Sequence, residues 1–302
     1  MSVVKAQAIV NGTTINLSYE EGSGVWKATG TAPTKSSYNE DGHYYGVILK
    51  AWDDAGNVTE IDATDSEFGQ VLRLIVKEKV APVITITSPT AGALLINNKP
   101  TITWKVTDDD SGVDPDTIAI TIDSGAKVTA GIQKSPVSGG YECSYTPAEP
   151  LADGNHTIKI DASDFDGNAA TQKSTTFKVD TVAPTLNVTA PADNLVTNQA
   201  ECTVSGTTND ATSSPVTLTI KLNNGAAEAV TVGEDGAFSK TLTLSQGDNT
   251  ITIVATDSAG KSTTITRNVK LDTGAPVFSD PVITPNPVDA GSTFVISVKI
   301  TD

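Results

Sequence analysis

Apolar side chains alternate with polar ones along most of this chain. Phe294, Ile296, Val298 and Ile300 in "TFVISVKITD" predict one buried face of a β-strand. Shorter alternations at Val47 and Leu49, Ile158 and Ile160, and Ile251 and Ile253 lead into three related turns. The turns are "KAWDDAGNVTE" from Lys50, "DASDFDGNAAT" from Asp161 and "VATDSAGKSTT" from Val254. Their shared core is Ala, any residue, Asp, two residues, Gly, then Asn or Lys, which predicts strand, tight turn and strand, with Gly supplying the positive φ.

A second mark follows each of these hairpins: "KVAP" at 79–82, "TVAP" at 181–184 and "TGAP" at 273–276. Proline cannot continue a sheet ladder, so the mark suits a junction between domains. The marks recur at roughly 100 residues, the length of a β-sandwich. In the third unit the pattern predicts seven strands, at about 185–190, 200–207, 215–222, 227–232, 237–243, 249–256 and 262–271. The second unit fits the same scheme, with Trp104 on its second strand and Tyr141 on its fifth.

The expected fold class is therefore all-β: tandem immunoglobulin-like β-sandwiches arranged as an elongated array. Four segments follow: 1–79, an incomplete domain holding strands C to G; 80–181 and 182–273, two complete domains; and 274–302, strands A and B of a further domain. The split rests on alignment. "VVKAQAIVNG" from Val3 matches "VTLTIKLNNG" from Val216, and Trp26 stands where Phe238 stands, so the first segment lacks strands A and B. "APVFSDPVITPNPVDAGSTFVISVKITD" from Ala275 matches "APVITITSPTAGALLINNKPTITWKVTD" from Ala81, which supplies them.

Three expectations compete for the first segment. The A–B hairpin of one molecule, through Phe294, Ile296, Val298 and Ile300, completes the sheet of the next by strand addition; the chain is part of a longer array; or "DATDSEFGQ" at 62–70 acts as a private substitute. Folding back within one molecule is disfavoured by the two whole domains between the halves.

Composition narrows the function. Only 5% of the 302 residues are aromatic, and 20 Lys and Arg against 36 Asp and Glu give a formal charge of −16. No basic cluster interrupts the acidic background, which argues against nucleic-acid partners. No apolar run suits a membrane helix, and the start lacks the pattern of a secretory signal. Cys143 and Cys202 fall in different domains and read as buried free thiols.

The "DTVAP" and "DTGAP" linkers, with "ASDFDGN" and "ATDSAGK" ahead of the last strand, resemble the bacterial immunoglobulin-like repeats of surface adhesins and of bacteriophage tail and virion proteins. The resemblance implies spacers, stalks and adhesive tips, with protein partners: copies of itself or other appendage subunits. The first expectation is a subunit of a phage virion or tail-like appendage. The alternative is a fragment of a cell-surface adhesin that binds host protein or carbohydrate through its loops, placing the chain in a virion or at the cell surface.

Acidic turns hold the most chemical potential. "TDDDSGVD" (Asp108, Asp109, Asp110, Asp114) follows strand B of the second domain and "DASDFDGN" (Asp164, Asp166) follows strand F. Those loops lie at one end of such a sandwich, where oxygen-rich side chains could take calcium. Turn preference alone also accounts for Asp, Asn and Gly there. The third domain argues against the metal, because Lys261 replaces Asn57 and Asn168 and the B–C loop offers only Asn209 and Asp210. His43 and His156 sit in no catalytic motif, so no catalytic residue and no cofactor beyond calcium is expected. Tyr38, Tyr44 and Tyr45 are the candidates for a surface contact, against the plainer reading of tyrosines turned into a core.

Overall fold

In every repeat the recurrent Asp–Gly turn joins two adjacent antiparallel strands, and the rest of each sheet is laid on that pair. The computed structural model describes residues 2–302, among which there is no α-helix and only two short 3-10 turns, Ser37–Asn39 and Asp41–His43. The chain divides into two compact units, Met1–Val179 and Asp180–Asp302.

The first unit begins with β1 (Val3–Val10), β2 (Thr13–Glu20), β3 (Val25–Lys27), β4 (Tyr45–Asp53), β5 (Val58–Ile61) and β6 (Arg73–Leu74). They make one sheet in the order β3-β2-β1-β4-β5, with β6 on the Tyr45 end of β4. The second repeat follows with β7 (Val83–Ser88), β8 (Ala93–Leu95), β9 (Ile102–Thr107), β10 (Val113–Ile122), β11 (Gln133–Val137), β12 (Gly140–Tyr145), β13 (Gly154–Asp164) and β14 (Lys173–Val179). Two sheets, β10-β13-β14-β8 and β11-β12-β9-β7, enclose a core of Ile102, Trp104, Val106, Ile118, Ile120, Ile158, Ile160 and Phe177. Alternation places every second residue of β9 and β13 on that inner face.

The second unit repeats the plan with β15 (Thr185–Ala190), β16 (Leu195–Thr197), β17 (Glu201–Asn209), β18 (Thr217–Leu222), β19 (Glu228–Val230), β20 (Ala237–Thr243), β21 (Gly247–Thr256) and β22 (Ser262–Leu271). The sheets are β15-β17-β20 and β16-β22-β21-β18-β19, around Val204, Leu218, Ile220, Phe238, Ile251 and Ile253. These are tandem immunoglobulin-like β-sandwiches. All seven strands read from the pattern are present, and β16, which runs parallel to β22, is an eighth. Last come β23 (Val277–Thr284) and β24 (Val295–Thr301), a separate two-stranded sheet.

The first repeat differs from the other two in its pairing. In the third repeat β20, the E strand, pairs with β17, the B strand, with Phe238 opposite Gly206. The equivalent β3 pairs with β2, Trp26 opposite Tyr19, as the E strand β12 of the second repeat pairs with β11, but among the described residues nothing takes the place of β9 on its other edge. No second layer forms over this sheet among the described residues. Residues 62–70 form turns that bring Ala63, together with Leu72, to the Tyr45 end, and leave the middle of the sheet open.

Candidate functional site

Two features stand apart from ordinary sandwich structure: acidic clusters at the heads of the second and third repeats, and apolar surfaces without a cover.

At the head of the second repeat, one carboxylate oxygen each from Glu78, Asp108 and Asp164 lie within 4.8 Å of one another. Backbone geometry holds them. Asp108 Oδ1 accepts from the Asp110 and Gly112 amides at 3.0 and 2.8 Å, and Glu78 Oε1 accepts from the Ser111 amide at 2.6 Å. Asp164 accepts from the Asn168 amide at 2.7 Å on Oδ1 and from its side-chain Nδ2 at 2.7 Å on Oδ2. Burial, with the Asp108 and Asp110 charges nearby, raises the Glu78 pKa against the Ser111 hydrogen bond.

The other acidic side chains singled out in the sequence lie elsewhere. Asp110 accepts from the Ser36 amide at 3.1 Å, and Asp166 from the Glu78 amide at 2.9 Å, so both tie the first repeat to the second. Asp109 is exposed, and Asp114 caps its own turn by accepting from Asp116. The linker acid Glu78 escaped the sequence reading because it lies in no turn motif. Its signal was positional: Glu78 and Asp180 each stand three residues before the Ala of an Ala–Pro mark.

The third repeat has the same arrangement in Asp180, Asp210 and Asp257, all three buried. Asp210 Oδ1 accepts from the Thr212 and Ser213 amides at 2.7 and 2.6 Å, and Asp180 from Ser213 Oγ and, at 3.2 Å, from the Val182 amide.

The tyrosines divide. Tyr38 stacks on His43 and on Phe165 of the second repeat, with ring centroids 4.4 and 4.1 Å apart. Tyr44 lies under the Arg73 guanidinium. Tyr45 is 6% exposed and its hydroxyl donates to the Lys35 carbonyl, so it turns inward and offers a partner little surface. Burial first, then the Glu40 and Asp110 charges, raise its pKa. Both cysteines are free and buried; burial pushes the Cys143 thiol up to about 11 against the opposing Lys134 charge, so it is not a nucleophile near neutral pH.

The uncovered surfaces are two. On the sheet of the first repeat, Ala6, Leu17, Trp26, Leu49, Ala51 and Ile61 line an apolar groove of about 340 Å3. Leu49 and Ala51 are half-buried, whereas Ile253 and Ala255 at the same positions of the third repeat are fully buried. The hairpin β23–β24 is the second surface. Val277 opposes Thr301 as Val83 opposes Thr107 and Thr185 opposes Asn209, the same separation in all three, so the hairpin is built as an A–B pair. Ile102, Trp104 and Val106 of β9 are 0, 1 and 0% exposed; Ile296, Val298 and Ile300, their equivalents, are 64, 41 and 56% exposed. Phe294 is exposed as well.

Parts of the chain resemble known proteins. Residues 89–181 match the family described as bacterial Ig-like domain, and residues 184–273 the one described as glucodextranase, domain B. The chain is 28% identical over 204 residues to chitinase ChiA of Flavobacterium johnsoniae, covering 64% of this chain and 12% of the chitinase. It is 28% identical over 218 residues to bacillopeptidase F of Bacillus subtilis, covering 72% of this chain and 14% of the peptidase. It thus spans a small part of these relatives. Among solved structures, the fibronectin(III)-like modules of Clostridium thermocellum CbhA align at a TM-score of 0.34 and 19% identity, over 63% of this chain and 94% of theirs. No helix among the described residues is long and apolar enough to cross a membrane.

Proposed function

We propose that this chain is a non-enzymatic structural and adhesive repeat protein whose copies join by donation of the β23–β24 hairpin to the open sheet of the first repeat of a second copy. The observation that supports the reading most is the shared A–B register combined with exposure of the side chains that β9 buries. Covering them against Leu49, Trp26 and Ile61 would remove apolar area from water on both partners, at about 25 cal/mol per Å2. A contact that uses different surfaces on the two copies generates filaments or rings. Such growth fits a phage virion or tail-like appendage, the setting we favour.

A repeat segment of a bacterial surface adhesin is the second reading, supported by the match of residues 89–181 to bacterial Ig-like domains. Light scattering after size exclusion tests the assembly. Oligomers that grow with concentration are expected, and Leu49→Asp, Ile296→Asp or removal of residues 276–302 is expected to return the chain to a monomer. A wild-type chain that stays monomeric at all concentrations overturns donation between copies.

A further inference from the structure

The third repeat differs from the other two at one carboxylate oxygen. In every repeat the Asp of the recurrent turn accepts on Oδ1 from the amide four residues on: Asp53 from Asn57 at 2.8 Å, Asp164 from Asn168 at 2.7 Å and Asp257 from Lys261 at 2.9 Å. In the first two the Asn side chain also donates to Oδ2, at 2.7 Å in each. Lysine at 261 has no such amide, and Oδ2 of Asp257 is left buried with no hydrogen-bond partner. A buried charged oxygen without a partner is costly to the fold, and native structures seldom leave one so.

Asp257 belongs to a concentrated negative site. Asp180, Asp210 and Asp257 are 0, 7 and 5% exposed, with one oxygen from each mutually within 4.8 Å. Among the described residues no Lys, Arg or His forms an ion pair with any of them. Three carboxylates this close in a poorly hydrated place repel strongly unless a cation lies among them. The site is also stiff: Ser213 donates to Asp180 and Asp210, while Ser258 donates from both its amide and its hydroxyl to the Ser213 carbonyl, joining the two loops.

We infer that the third repeat binds a calcium ion between Asp180, Asp210 and Asp257, and that Lys261 keeps the site open by withholding the amide that fills the same oxygen elsewhere. Hard oxygen donors of this kind suit calcium, whose ligands lie at about 2.3–2.6 Å and number six to eight; backbone carbonyls or water would complete the set. Magnesium holds its own water shell tightly and demands a stricter octahedron, which a site this buried accommodates poorly. Because Asp180 belongs to the segment ahead of the third repeat, the ion fastens that segment to the B–C and F–G loops. The residue that counted against a metal in the sequence is the one that provides for it.

The test is calorimetric titration of calcium chloride into the full chain after chelator treatment and dialysis, with thermal melts in parallel. The wild type is expected to take up calcium and to melt higher as calcium rises, since a ligand of the folded state stabilises it. Asp257→Asn and Asp210→Asn are each expected to weaken uptake at least tenfold. Lys261→Asn restores the side chain that the same turn carries in the other repeats, so it should fold normally and still bind more weakly than wild type. No uptake by the wild type, or uptake that Asp257→Asn leaves unchanged in affinity and stoichiometry, overturns the proposal.

Discussion

At the scale of single residues, polar side chains at the ends of the sandwiches are positioned by the backbone and in turn fix it. His156, buried on β13, donates from Nε2 to the Ala152 carbonyl at 2.7 Å and from Nδ1 to Asp123 at 2.9 Å. Burial works against its charge, but these two hydrogen bonds and the Asp123 carboxylate prevail, and the pKa lies above the ordinary value. The folded form thus holds the proton more tightly than the unfolded chain. The resulting stabilisation is complete below the unfolded value of about 6.5 and is lost as pH rises through the folded one. Urea midpoints across that window should fall with pH in the wild type and fall less in His156→Gln. Neither His156 nor the acidic clusters could be read from spacing alone. Asp108 and Asp164 carried turn patterns, whereas Glu78 and Asp180 lie in linkers and meet them only once the repeats have folded. Lys261 could be seen in the sequence, but its effect on the Asp257 oxygen depends on a hydrogen bond that only the fold reveals.

At the scale of elements, alternation was a sufficient guide wherever a strand had a buried face and an exposed one. The Asp–Gly turns and all seven strands of the third repeat were legible for that reason. The three-residue β8 and β16 were not, being too short to show a period. Nor was the pairing of β3, because the choice of partner belongs to the neighbouring strand and not to the sequence "VWK". The two A–B hairpins that lie in complete sandwiches and the one that does not make a natural comparison. If β24 is taken up by a second copy, amide exchange over 295–301 should slow as concentration rises, while exchange in β9 stays constant. Slow exchange in β24 at the lowest concentrations would mean that the hairpin is protected within its own molecule.

At the scale of the whole molecule, two complete sandwiches carry closed cores, and the first repeat and the hairpin β23–β24 each leave an apolar face exposed. The free-energy balance differs accordingly. The complete repeats bury Ile102, Val106, Ile158, Val204, Ile251 and Ile253 fully, and Trp104 is 1% exposed; the first repeat leaves Trp26 half in solvent. The pairing of β3 adds a kinetic consequence. In the second repeat its counterpart β12 is hydrogen-bonded to β11 on one edge and to the B strand β9 on the other, so the bonds that β3 makes to β2 through Ser18, Tyr19 and Glu20 leave the B-strand edge unoccupied. If a hairpin is donated between copies, it can add to that edge with no hydrogen bond broken first, and its rate should rise in proportion to concentration. Trp26, which opposes Tyr19 in that pairing, is a built-in reporter: stopped-flow mixing should show its fluorescence changing together with the rise in scattered light, and a concentration-independent step that limits both would mean that β3 must first let go of β2. A docking edge held ready by three residues leaves encounter, and not rearrangement, to set the pace.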